Sequence, residues 1–153
     1  MKIEYLEDHP EFIAELADLH FAEWGYLNPG ETLEGKAYYL RNNCGRHGVP
    51  SFVIAVEGTE LIGSASLIAQ DMDNRPDLTP WLADVYVKPK FRRQGVATAL
   101  IQRIEAEAKT SGIARLFLYT PDAADLYRRL GWATFEKCRY HGVGVVIMTK
   151  IIR

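Results

Sequence analysis

Residues 91–100 read FRRQGVATAL: two arginines, one glycine and a run that begins a helix. Those residue types in that order suit an anion. The first N–H groups of a helix have no intrahelical acceptor, and the helix dipole favours negative charge there. Gly95 removes the side chain that would hold an anion off the backbone, and Arg92 and Arg93 offer charge-assisted hydrogen bonds. Such bonds contribute roughly 1.5 to 3 kcal/mol each. A phosphate or pyrophosphate fits this combination. Two familiar phosphate patterns are absent, since no GxxxxGK precedes a Ser or Thr and no GxGxxG occurs. The bland alternative is a glycine that only turns a strand into a helix, with solvated arginines beside it.

The surrounding pattern supplies a strand before this stretch and a helix after it. WLADVYVKP reads as a strand stopped by Pro89, and Val96, Leu100, Ile101, Ile104 and Ala108 form one apolar helical stripe that Gly112 ends. Upstream, KIEYL alternates like a short strand, and Phe12, Ile13, Leu16, Leu19 and His20 repeat at amphipathic helical spacing. A less regular helix over 36–43 follows, then a hairpin of two β-rich runs, 51–57 and 60–69, joined at Gly58-Thr59. QDMDNRPDLTP is a loop by its Asp, Asn and Pro content. RLFLYT reads as a strand covered on both faces, a short helix runs from Pro121 to Leu130, and strands near 133–140 and 143–151 close the chain.

The order β-α-α-β-β-β-α-β-α-β-β predicts an α/β (α+β) fold, with a mixed sheet of about seven strands and helices on both faces. Absence of repeats or linkers makes residues 1–153 one domain. A formal net charge of −2 argues against nucleic acid or an anionic membrane as partner. Cys44 and Cys138 form no metal-ligand spacing with the four histidines, so no metal is expected. The charged N-terminus lacks the apolar core of a signal peptide, and no stretch approaches a membrane span; a cytoplasmic setting is the expectation.

The glycine stretch resembles the pyrophosphate-binding signature of the GNAT superfamily of N-acetyltransferases, Arg/Gln-x-x-Gly-x-Gly/Ala, with Arg92, Gly95 and Ala97 at the defining positions. Ala97 stands where a second glycine is commoner. VYVKPKF is similar to that family's fourth strand and turn, YRRLGW (127–132) to its Tyr-x-x-x-Gly-Phe/Trp element, and the element order agrees with the family fold. The resemblance implies acetyl-coenzyme A as acyl donor. It also implies that Arg92, Arg93 and the backbone of Gln94, Gly95, Val96, Ala97 and Thr98 hold the pyrophosphate, while Val85, Tyr86 and Val87 line the pantetheine arm.

Acetyl transfer to an amine requires a neutral nucleophile, a stabilised oxyanion and a proton for the departing thiolate. The resemblance makes Tyr127 the proton donor, and a phenol with its ordinary pKa near 10 is protonated at neutral pH. A core tyrosine between Leu126 and Leu130 is the other reading. A backbone N–H near Val85 to Val87 would meet the oxyanion, again by resemblance. For the base, Asp84 lies on the strand beside the expected thioester, although a structural carboxylate is equally consistent. His141 and Tyr140 precede the last strand, where family members line the acceptor pocket. Trp24 and Tyr26, with Asp71, Asp73 and Asp77 of the acidic loop, suit a cationic amine. The resemblance implies a small-molecule amine or a peptide amino terminus as acceptor, with a non-catalytic acyl-coenzyme A-binding module as the alternative function. A homodimer is possible if the apolar last strand VGVVIMTKII lies at a sheet edge.

Overall fold

The computed structural model describes residues 1–152. Strand β1 (Lys2–Tyr5) leads through two 3-10 turns into helix α1 (Ile13–Trp24). Helix α2 (Leu33–Asn43) begins earlier than the periodicity suggests, because the Thr32 hydroxyl accepts the Gly35 N–H at 2.9 Å and fixes the start. Strands β2 (Ser51–Glu57), β3 (Glu60–Ile68) and β4 (Trp81–Val87) follow, then α3 (Val96–Thr110), β5 (Arg115–Thr120), α4 (Ala124–Arg129), β6 (Ala133–Tyr140) and β7 (Val143–Ile151). Helix α4 is shorter than expected at its start: the Thr120 hydroxyl accepts the N–H groups of Asp122 and Ala123, at 3.3 and 2.9 Å, and holds 121–123 as a turn.

The seven strands form one mixed sheet in the order β1-β2-β3-β4-β5-β7-β6. Helix α3 lays Val96, Leu100, Ile101, Ile104 and Ala108 against Val53, Ala55, Ala65, Leu67 and Leu82 on one face. On the other face, Leu16 and Ala17 of α1 and Leu40 of α2 meet Phe52, Ile54, Val56 and Leu61. Adjacent β2 residues therefore serve opposite faces, and both faces are dry; this is why the strand reads as an unbroken apolar run. Gly63 lets α3 come close, since a Cβ there would sit 2.7 Å from the Tyr86 carbonyl and 3.1 Å from Leu100.

The last strand is not an edge. β7 lies between β5 and β6, so the expected route to a dimer through β7 is closed; the edge on this side is β6, which carries the charges of Glu136, Lys137 and Arg139.

Two irregularities in the sheet make room for a site. β3 and β4 pair at Ser64 with Tyr86 and at Ser66 with Ala83, so Asp84 and Val85 together oppose Ala65, a bulge in which Asp84 adopts φ +57°. Beyond it β4 and β5, the one parallel pair, meet in register only at Trp81 and Phe117 and then diverge.

Candidate active site

The divergence of β4 and β5 opens a cleft of about 600 Å³, a size that accommodates a large cofactor arm. Its walls run from Leu82 to Val87 on β4 and from Leu118 to Ala123 after β5; the start of α3 stands at one end, and Trp24, Lys36 and Asp71 stand at the other. Strand β4 presents Val85, Tyr86 and Val87 to it.

Gly95 caps α3 with φ +81°, and no side chain caps that terminus. The first bond back to the cap is from the Ala99 N–H to the Gly95 carbonyl, at 3.0 Å, so the N–H groups of Val96, Ala97 and Thr98 have no helical acceptor. A Cβ placed on Gly95 would meet nothing within 4 Å, so the space before these donors is open. Gly95, Val96, Ala97 and Thr98 all line the cleft, as do Arg92 and Arg93. Arg92 is tied back: its Nε donates to the Val87 carbonyl at 2.8 Å and its guanidinium lies 5.8 Å from the Tyr86 ring centre, which leaves its terminal amino groups for an anion. Gln94 lies outside the lining set, its side chain donating to the Lys90 carbonyl at 3.3 Å. The chemistry of this cradle fits a pyrophosphate.

Tyr127, on α4, is buried against Trp132 with ring centres 6.1 Å apart, yet it also lines the cleft. Burial, with the nearby Asp122 charge, raises its pKa above the ordinary phenol value, and among the described residues its hydroxyl has no hydrogen-bond partner. It is a phenol held protonated beside an open cavity.

At the far end the bulge turns Asp84 into a polar knot. Tyr39 and Ser66 donate to its Oδ2 at 2.6 and 2.7 Å, and the Lys36 ammonium lies 3.5 Å from Oδ1. Burial alone would raise this carboxyl, but Lys36 and the two hydroxyl donors hold it below its ordinary range. Ser64 donates to the Asp84 carbonyl at 2.7 Å and so accepts from His20 Nε2 at 2.9 Å; His20 Nδ1 then faces Asp84 at 3.9 Å with no hydrogen-bond partner among the described residues. Complete burial lowers the His20 pKa to about 3, so the ring is neutral at physiological pH.

Lys36, Tyr39, Ser66 and the His20 contact were not read as site residues in the sequence. The available signal was weak: Lys36 and Tyr39 stand three residues apart on α2, ahead of the buried Leu40, a pattern shared by many solvent-facing helices.

The other expected acceptor residues divide. Trp24 lines the cleft and stands 6.0 Å from the Lys36 ammonium, whereas Tyr26 is 58% exposed and lies outside it. Tyr140 and His141 are also outside the lining set. His141 Nδ1 bonds the Leu27 carbonyl at 2.6 Å and Nε2 approaches Asp73 at 3.2 Å, while the Tyr140 hydroxyl accepts the Asp73 N–H at 3.3 Å. The pair thus ties the final hairpin to the loops beside the cleft. Asp71 does reach the cleft wall, but Asp73 and Asp77 do not. Burial, reinforced by the Asp84 charge and opposed by Lys36, pushes Asp71 up to about 7.

A model of the Acetyltransferase (GNAT) family matches residues 13–132. The chain belongs to this family. It is 38% identical over 55 residues to a thialysine N-epsilon-acetyltransferase of Bos taurus, a match covering 33% of this chain and 32% of that protein. The matched segment thus spans about a third of that relative's length. Among solved structures, an aminoglycoside 6'-N-acetyltransferase complexed with coenzyme A superposes with a TM-score of 0.80 at 17% identity, covering 100% of this chain and 98% of the other. Ard1 from Thermoplasma volcanium superposes with a TM-score of 0.76 at 14% identity, covering 99% of this chain and 97% of that one. At such identities the likeness establishes the GNAT fold.

Proposed function

We propose that the protein transfers an acetyl group from acetyl-coenzyme A to a primary amine, with both substrates bound together and Tyr127 protonating the leaving thiolate. The observation that carries this reading is one continuous cleft lined by three features: the uncapped start of α3, the strand β4 and the Tyr127 side chain. A structural neighbour binds coenzyme A, and relatives of the chain acetylate amines, which supports the donor and the reaction class.

The N–H groups of Val96, Ala97 and Thr98 would hold the pyrophosphate, with Arg92 and Arg93 at its rim. Residues Val85 to Val87 would lie along the pantetheine arm. When bound, the donor supplies an acyl thioester at the point where β4 and β5 part. The buried Tyr127 phenol is protonated at neutral pH and would give its proton to a thiolate formed beside it. The carboxylates Glu23, Asp71 and Asp84 and the Trp24 ring line the acceptor end, where a cationic amine is favoured over a neutral or acidic one.

Thiol release from acetyl-coenzyme A, followed with S-(2-aminoethyl)-L-cysteine, kanamycin, spermidine and short peptides with free amino termini, tests the reading. Amine-dependent release that drops in Tyr127→Phe is expected. Binding of acetyl-coenzyme A without release for any amine would favour the binding module instead.

A further inference from the structure

An amine acceptor arrives as an ammonium and must lose a proton before its nitrogen can attack. Two carboxylates line the acceptor end of the cleft, and their surroundings differ. Asp84 has one oxygen taken by the Tyr39 and Ser66 hydroxyls and the other beside Lys36 and His20. A proton placed there would displace these donors and leave the Lys36 ammonium uncompensated.

Asp71, at the head of the β3–β4 loop, is only partly buried and lines the same cleft. Among the described residues no group donates a hydrogen bond to its carboxylate. The titratable groups near it are Lys36 and Tyr39 on α2, Asp84 on β4, Tyr119 on β5 and Tyr140 at the end of β6, with Asp73 on its own loop. The one cation in that set is engaged elsewhere. The Lys36 ammonium sits 3.5 Å from Asp84 and 4.5 Å from the Tyr39 ring centre. Asp71 is therefore an acceptor-only group, open to the cleft and without a donor of its own.

We propose that Asp71 is the base that takes the proton from the acceptor ammonium, and that the Asp84–Lys36 pair is the fixed charge beside it. The proposal rests on the transferase reading. Burial and the Asp84 charge raise Asp71 to about 7, where a base is about half ionised at neutral pH and strong enough to accept. The ammonium N–H bond breaks and its proton forms an O–H bond on Asp71. The freed nitrogen pair then forms the C–N bond as the carbonyl pair moves to oxygen. That pair returns as the C–S bond breaks, and the thiolate takes the Tyr127 proton. The second proton leaving the acylated nitrogen restores the Tyr127 phenol through water, and Asp71 releases its own to solvent.

The test uses the full chain and two readouts. Carboxyl carbon NMR of aspartate-labelled protein should show one aspartate titrating near pH 7 that disappears in Asp71→Asn. With an amine that supports thiol release, the wild-type kcat/KM should fall on the acid side with an apparent pKa near 7. Asp71→Asn should lower kcat/KM by about 10²-fold or more and abolish that limb, and Asp71→Glu should restore part of both. An unchanged limb in Asp71→Asn, or an Asp71 signal titrating near 4, would overturn the proposal and leave the transferase reading standing. No thiol release by the wild type with any amine would overturn that reading, and the proposal with it.

Discussion

Gly95→Ala separates what the cradle does for folding from what it does for the ligand. A Cβ at residue 95 meets nothing within 4 Å, so the folding cost is confined to holding an alanine at φ +81°. That is about 1 to 2 kcal/mol. For a domain of this size the cost lowers Tm by about 2 to 8 °C. The methyl group would also project into the open space at the start of α3, where it is expected to crowd a pyrophosphate oxygen approaching the free N–H groups. Losing one such charge-assisted bond costs roughly 1.5 to 3 kcal/mol, a weakening of about 10- to 150-fold. Calorimetric titration with coenzyme A and thermal unfolding without it measure the two effects on the same sample. Unchanged affinity in a variant that shows the expected Tm loss would refute the assignment of this terminus to the pyrophosphate.

Further outcomes follow from the same geometry. Tyr127→Phe keeps the ring against Trp132 and removes only the hydroxyl, so kcat should fall by about 10²- to 10⁴-fold with coenzyme A affinity little changed, as steady-state kinetics and titration would show. Asp84→Asn leaves Lys36 buried without its counter-charge, which should cost about 3 kcal/mol in denaturant unfolding, and Lys36→Met should recover part of the loss. Asp71 has the opposite sign. Its folded pKa is raised from 3.8 to about 7, so its favourable contribution is complete below pH 4 and is lost as pH rises through 7. Asp71→Asn should therefore gain stability relative to wild type between pH 4 and 8, by about 2 kcal/mol after allowing for its partial exposure; parallel pH profiles of the two proteins would contradict this.

The end of the cleft proposed for the donor was legible because it is local. Arg92 to Thr98 occupy one turn and the start of one helix, and a glycine before an apolar helical stripe states its geometry in a few residues. Tyr127 was equally local, sitting in one short helix with the Gly131-Trp132 pair after it. The acceptor half is built differently. Lys36, Tyr39, Ser66, Asp71 and Asp84 come from a helix, two strands and a loop, and only folding brings them together. WLADVYV gives no sign of a bulge at Asp84, since a regular strand has the same composition. That bulge decides that Asp84 faces Lys36 and Tyr39. Proximity in sequence also misled: Tyr140 and His141 lie on the final hairpin as expected, but they spend their polar atoms on Leu27 and Asp73 and not on the cleft.

The most direct measurement is thiol release from acetyl-coenzyme A over the amine panel, with wild type and Tyr127→Phe side by side. Release that requires one class of amine, yields the N-acetylated product by mass and collapses in Tyr127→Phe is the predicted result. Release that proceeds at the same rate without any amine, or no release from a protein that binds acetyl-coenzyme A, would contradict amine acetylation as the work of this cleft.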